Sequence, residues 1–281
     1  MPNERAHPRA AGSASEAFQL NPSVLRQQCV DAAQAAAELL IGLRDRGEVG
    51  VTSTKSTPTD IVTNADAAAE ALLRKLLLTS RPDDSWLGEE TGSTDSNSGA
   101  QGVRWVVDPI DGTVNYLYGL PGWAISVAAE VAGTVVAGAV VVPTTAEVFS
   151  AHLGGGATVD DRPLAVTRCA ELSQALIATG FSYDATVRGP QGRAVAELLP
   201  RVRDIRRFGA AAVDLCSLAA GRVDAYYERG LQPWDRAAGA LIAREAGGIV
   251  VEDSAGGVVA AGPDLIADFR ALLLDLGGIG G

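Results

Sequence analysis

Three acidic stations carry most of the chemistry open to this chain. Asp108-Pro109-Ile110-Asp111-Gly112-Thr113 closes the apolar run 103–107, so a buried strand delivers two aspartates onto a short corner stiffened by proline. Carboxylates three residues apart on such a corner can point the same way, with the Ile110 carbonyl beside them. Hard divalent cations such as Mg2+ need that kind of all-oxygen site. Gly88-Glu89-Glu90 lies upstream and Trp234-Asp235 far downstream. Carboxylates gathered in one place repel by about 4 kcal/mol per pair at 4 Å and an effective dielectric near 20, so only cations make such a cluster tolerable. Together the stations suggest hydrolysis of a phosphate ester with the help of metal ions.

Other phosphatase chemistries lack their residues. The only histidines are His7 and His152, the second reading as a strand-surface residue, so a histidine nucleophile has almost nothing to use. The haloacid dehalogenase class needs two aspartates separated by one residue, and the spacing here is Asp-Pro-Ile-Asp. No GxxxxGK[ST] loop and no cysteine in a nucleophile cradle is found. Gly154-Gly155-Gly156 precedes no helix and reads as a tight turn between strands. Direct attack by metal-activated water remains.

Gly88-Glu89-Glu90, Trp105-Val106-Val107-Asp108-Pro109-Ile110-Asp111-Gly112-Thr113-Val114-Asn115-Tyr116, Tyr226-Tyr227-Glu228 and Trp234-Asp235-Arg236-Ala237-Ala238-Gly239 closely resemble the signatures of the inositol monophosphatase family, in the same order and spacing. The resemblance spans about residues 24–268; Tyr116 stands where the family commonly has phenylalanine. It implies a first metal shell of Glu89, Asp108, the Ile110 carbonyl and Asp111, a further ion on Asp108, Asp111 and Asp235, and two or three Mg2+ per site. It implies that Thr113 and Asp66, with Glu89 nearby, orient and deprotonate the attacking water, Asp66 accepting a hydrogen bond from Thr113. Backbone N–H groups of Gly112 and Thr113, opening a helix, would hold phosphate oxygens. Glu228, seven residues before Asp235, would bind substrate hydroxyls, which favours a polyol phosphate such as myo-inositol 1-phosphate. Ala210 and Ala211 would line the same pocket, with Ser182 contributing, while Arg206 and Arg207 read as structural ion pairs or interface contacts. A homodimer inhibited by lithium is also implied. The rivals are a sister phosphatase for histidinol phosphate, fructose 1,6-bisphosphate or adenosine bisphosphate, and a binding role at the transcription machinery, as in some bacterial relatives.

What must position these residues is legible in outline. Helices are expected over 22–42 (cap Asn21, first residue Pro22), 67–78, 112–118, 190–202, 210–220, 237–246 and within 261–276, and strands over 85–87, 103–107, 147–152, 175–179, 204–208, 225–228, 248–252 and 258–260. Residues 123–142 are long and apolar enough to suggest a membrane span, but Glu130 and Ala132-Gly133 break the run, and a hairpin of 124–131 and 134–142 fits better. The polar stretch 91–102 reads as a mobile surface loop, and 55–60 as a turn-rich approach. The mixture indicates a layered α/β sandwich (α-β-α-β-α). Its expected parts are a flexible tail (1–20), an α+β N-terminal half (21–160) with most metal ligands, and an α/β C-terminal half (161–281) with Asp235 and the substrate pocket.

The 281 residues include 34 acidic and 23 basic, a net charge of −11; that argues against a broad nucleic-acid face. Cys29, Cys169 and Cys216 are scattered and odd in number, as expected of reduced thiols. With no signal-like apolar core near the N-terminus, a soluble cytoplasmic enzyme acting on a small phosphorylated polyol is expected.

Overall fold

The computed structural model describes residues 20–54, 61–94 and 102–277. Helix α1 (Pro22–Asp45) starts as expected, with the Asn21 side chain accepting from the Ser23 N–H. Its buried face (Leu25, Cys29, Ala32, Ala33, Ala36, Ala37, Leu40) is mostly alanine, which lets the helix lie close on a sheet. A small ribbon follows, β1 (Val51–Thr54) antiparallel to β2 (Ile61–Thr63), where no strand was expected; residues 55–60 lie outside the described residues. Helix α2 (Asn64–Ser80) begins three residues before the predicted start at 67, because Thr63 and Asp66 form a capping box.

An eight-stranded sheet fills the N-terminal half. Its members are β3 (Ser85–Gly88), β4 (Gly92–Thr94), β5 (Val103–Asp111), β6 (Ala124–Val131), β7 (Thr134–Val142), β8 (Glu147–His152), β9 (Ala157–Val159) and β10 (Arg162–Pro163), in the order β10-β9-β8-β7-β6-β5-β3-β4. Only β3 and β5 pair in parallel. The expected hairpin is β6–β7. Part of the stretch read as a loop is β4, paired with β3; residues 95–101 lie outside the described residues. Between β5 and β6 sits the short helix α3 (Thr113–Tyr118).

The second sheet has five strands, β11 (Leu176–Thr179), β12 (Asp204–Arg206), β13 (Ala225–Glu228), β14 (Ile249–Glu252) and β15 (Val258–Ala261), in the order β12-β11-β13-β15-β14. It is interleaved with α4 (Ala185–Leu198), α5 (Ala211–Ala219), α6 (Pro233–Glu245) and α7 (Ile266–Asp275). Two starts differ from the sequence reading. Asp184 caps α4 by accepting from the Thr186 N–H at 2.8 Å, so Pro190 falls inside the helix rather than opening it. Gln232 and Asp235 form a capping box at the start of α6, so this helix begins at Pro233, not 237, and Asp235 lies in its first turn.

The apolar clusters define five layers. α1 and α2 cover one face of the large sheet around Trp86, Trp105 and Trp123. Its other face packs on α5 and α6, which also cover Tyr226, Val258 and Ala260 of the small sheet. The far side of that sheet meets α7 and Leu198 of α4. Burying each large apolar side chain contributes about 1.5–3 kcal/mol. Polar ties also cross between the sheets: Asn115 Nδ2 donates to the carbonyls of Gly122 and Phe208, both at 2.8 Å. The Gly154 and Gly156 amides donate to Glu245, both at 2.9 Å, so the glycine turn serves α6 and cradles no phosphate. Among the described residues no helix is long and apolar enough to cross a membrane.

Candidate active site

The acidic corner depends on a register fault. Asp108 pairs with Ser126 and Asp111 with Ala124, so three steps along β5 answer two along β6. Strand side chains alternate, so residues three apart would normally face opposite sides. The extra residue of this bulge cancels the alternation and sends both aspartates toward one pocket. Asp108, only 2% exposed, accepts from the Ile110 N–H at 3.0 Å. The chain then turns through Gly112 at φ +85°, where a Cβ would also lie 3.1 Å from Gly122 O and 3.2 Å from Gly209 O. Strain and crowding together require glycine there.

Thr113 opens α3. Its hydroxyl lies 3.0 Å from the Ile110 carbonyl and 3.4 Å from Asp66 Oδ1. Asp66 is buried, and its other oxygen accepts from both the N–H and the hydroxyl of Thr63. Thus the capping box that starts α2 also aims a carboxylate at the back of Thr113. Asp66 does not line the pocket itself; it backs Thr113 rather than completing the acidic cluster.

Glu89 follows β3, with its N–H bonded to the Val107 carbonyl at 3.2 Å. The turn carrying it is held by Glu70, a buried carboxylate of α2 that the sequence reading passed over. Glu70 accepts from the N–H groups of Glu90 (2.8 Å) and Thr91 (3.0 Å), the Thr91 hydroxyl, and Trp86 Nε1. The only prior signal was a lone glutamate among the alanines and leucines of a helix.

The C-terminal half closes the site. Glu89, Asp108, Ile110, Asp111, Gly112, Thr113, Ala211, Glu228 and Asp235 all line one cavity of about 370 Å³, so of the predicted site residues only Asp66 stands behind its wall. Asp235 Oδ2 accepts from the Gln232 N–H at 2.7 Å. The first turn of α5 turns its amides on Asp111: Ala212 N–H donates to Oδ2 at 2.6 Å. Ala210, Ser182 and Arg207 line the cavity too. Arg206 pairs with Asp204 as expected, but Arg207 does not follow its neighbour: its charge faces Glu228 and Asp214. Asp214 is 1% exposed and neither oxygen finds a hydrogen-bond partner among the described residues; burial, then Glu228 and Asp111, push its pKa well up.

Charge crowding dominates the electrostatics. Burial, then Glu89, Asp111 and Asp235, raise the Asp108 pKa well above the usual carboxylate range. Burial lifts Asp111 to about 7 against the opposing Ala212 amide. Asp235 is raised by burial and then by Asp111 and Glu89. Carboxylates so placed take up either protons or cations. The donors are all oxygen, with the Ile110 carbonyl among the cavity-lining groups, and this set fits a hard divalent ion such as Mg2+. Among the described residues, no three acidic, histidine or cysteine side chains already form a closed ligand cluster.

This fold and this pocket together define a phosphate-ester hydrolase of the acidic-corner kind, and comparison with known proteins gives the family. The model of the inositol monophosphatase family matches residues 21–272. Inositol-1-monophosphatase SuhB of Mycobacterium tuberculosis is 48% identical over 242 residues, covering 82% of this chain and 83% of that protein. The solved structure of Mycobacterium tuberculosis SuhB superposes with a TM-score of 0.81 at 42% identity, covering 93% of this chain and all of that one. Nus factor SuhB of Pasteurella multocida is 37% identical over 85% of this chain and 91% of its own length. The chain belongs to the inositol monophosphatase family, a family of metal-dependent phosphatases with this layered sandwich.

Proposed function

We propose that this chain hydrolyses inositol monophosphate, myo-inositol 1-phosphate or a close polyol phosphate, to the free polyol and inorganic phosphate. The observation that carries the reading is the convergence on one cavity of an acidic corner (Glu89, Asp108, Asp111, Asp235), the Thr113 hydroxyl and a further carboxylate, Glu228. The 48% identical relative named inositol-1-monophosphatase supports it.

Two or three Mg2+ ions, held by Glu89, Asp108, the Ile110 carbonyl, Asp111 and Asp235, would supply the positive charge that draws in a phosphate dianion and makes water acidic enough to attack. The chain's own groups do the rest. The Thr113 hydroxyl donates backward to Ile110 or Asp66, leaving lone pairs that orient an incoming water. Asp66, fixed by its two bonds from Thr63, is the sink for the proton passed through Thr113. N–H groups at Gly112 and Thr113 face the phosphate oxygens. Glu228 and Ala211 bound the polyol, and Arg207 and Arg229 add positive side chains to the cavity wall that carries Glu228.

Initial rates on inositol 1-phosphate, histidinol phosphate and fructose 1,6-bisphosphate, each with and without Mg2+, test the reading. The first should be fastest, and only with the metal; a preference for either of the others overturns the substrate assignment in favour of a sister phosphatase. Lithium should inhibit, and the protein should sediment as a homodimer, each subunit made of an N-terminal half 21–160 and a C-terminal half 161–281. A second reading draws on the Pasteurella multocida relative named a Nus factor: binding to the transcription machinery, with catalysis incidental. Retention of RNA polymerase by an Asp108→Asn variant in a pull-down would favour it.

A further inference from the structure

Glu228 ends β13 one residue after the last rung shared with β11, where Thr179 pairs with Tyr227, and Gly180 leaves β11 at the matching place. Residues level with each other on neighbouring strands project to the same face and compete for the same space. A Cβ added at Gly180 would stand 2.1 Å from Cδ, Oε1 and Oε2 of Glu228, far inside the ordinary contact distance of about 3.5–4 Å. The carboxylate therefore lies directly over a bare Cα. Nothing in the backbone asks for glycine here, since Gly180 is not among the positive-φ residues. The space alone explains it. On its other side Glu228 Oε2 accepts the Tyr226 hydroxyl at 2.9 Å. Gly180 and Glu228 also stand in the wall between the acidic cavity and a neighbouring cavity of about 730 Å³ beside α4, so a displaced carboxylate has somewhere to go.

We propose that Gly180 is the positioning residue for substrate selection: its missing side chain is the seat in which the Glu228 carboxylate lies, aimed at the hydroxyls of a polyol phosphate. This rests on the reading of the cavity as a polyol phosphate site. Any side chain at 180 pushes the flexible end of Glu228 off its seat, toward the larger cavity, without touching the acidic corner.

The test compares inositol 1-phosphate with p-nitrophenyl phosphate, which has no hydroxyls to read. Gly180→Ala should lower the ratio of kcat/KM between the two about tenfold or more, through KM for the polyol ester, the loss of one charge-assisted hydrogen bond. Tyr226→Phe, which unpins the same carboxylate without adding bulk, should lower the ratio in the same direction by less. In a Glu228→Ala background, Gly180→Ala should change the ratio no further, because the two act as one unit. Full additivity in that background, or a Gly180→Ala loss that falls equally on both substrates, overturns the proposal. A parental enzyme with no preference for the polyol ester overturns instead the functional reading beneath it.

Discussion

The two walls of the pocket are built on different principles. On the acidic wall and just behind it, three carboxylates take hydrogen bonds from their own stretch of chain: Asp108 from the Ile110 amide two residues on, Asp66 from Thr63, and Asp235 from Gln232. Capping boxes are devices of a few residues, and the strand bulge needs only the next strand, β6. The polyol wall is assembled from afar. Glu228 takes its position from Gly180, 48 residues earlier, Arg207 arrives on the approach to α5, and Ala211 is set by a helix whose first amides grip Asp111, 101 residues earlier. The difference divides labour. In the proposed function the acidic wall would handle what every phosphate ester shares, and the assembled wall what distinguishes one ester from another.

That division can be broken by experiment. The largest effect is expected from Asp108→Asn, which removes a charge from the centre of the corner. Magnesium-dependent phosphate release should fall by at least about a thousandfold on every substrate, as losses of principal electrostatic groups do, with the circular dichroism spectrum unchanged. Turnover at the parental rate would mean that the metal assignment is wrong. Thr113→Ala comes next. It removes the hydroxyl between water and Asp66, and proton-transfer partners contribute about a hundredfold or more. kcat should drop by that order on polyol and simple esters alike, while magnesium binding by calorimetry weakens far less. A drop confined to the polyol ester would move Thr113 to the other wall.

The smallest effect sharpens the picture. Glu70→Gln sets an amide against the donors of Glu90 and Thr91, loosening the turn that presents Glu89. Groups supporting a metal ligand from behind are worth about ten- to a hundredfold in metal affinity. The half-saturating magnesium concentration should rise by that factor, with kcat at saturation within about threefold of the parent. An unchanged magnesium requirement would show that the turn holds without Glu70.

Much of the acidic wall was legible in the linear chain because its determinants are short-range. The strand entering Asp108, the proline corner, the Gly112 turn and the hairpin 124–142 all follow from neighbouring residues. The misplaced helix starts have the same cause in reverse. Asp66 and Asp235 stand out in the sequence for their charge, and their second use as capping groups sets the starts of α2 and α6 earlier than the apolar periodicity predicts. Glu70, Gly180 and Asp214 gave no local sign at all: a glutamate in a helix, a glycine after a strand and an aspartate among small apolar residues look ordinary until their surroundings are known.

The chain by itself determined the chemistry, since oxygen donors in this number and spacing leave a hard cation and a phosphate ester as the fitting partners, and helix caps and strand ends are settled within a few residues. Only the tertiary structure decided selectivity. In the proposed function Glu228 reads substrate hydroxyls from where it does because β11 and β13 bring an empty Cα beside it, and no spacing along the sequence encodes which strands become neighbours.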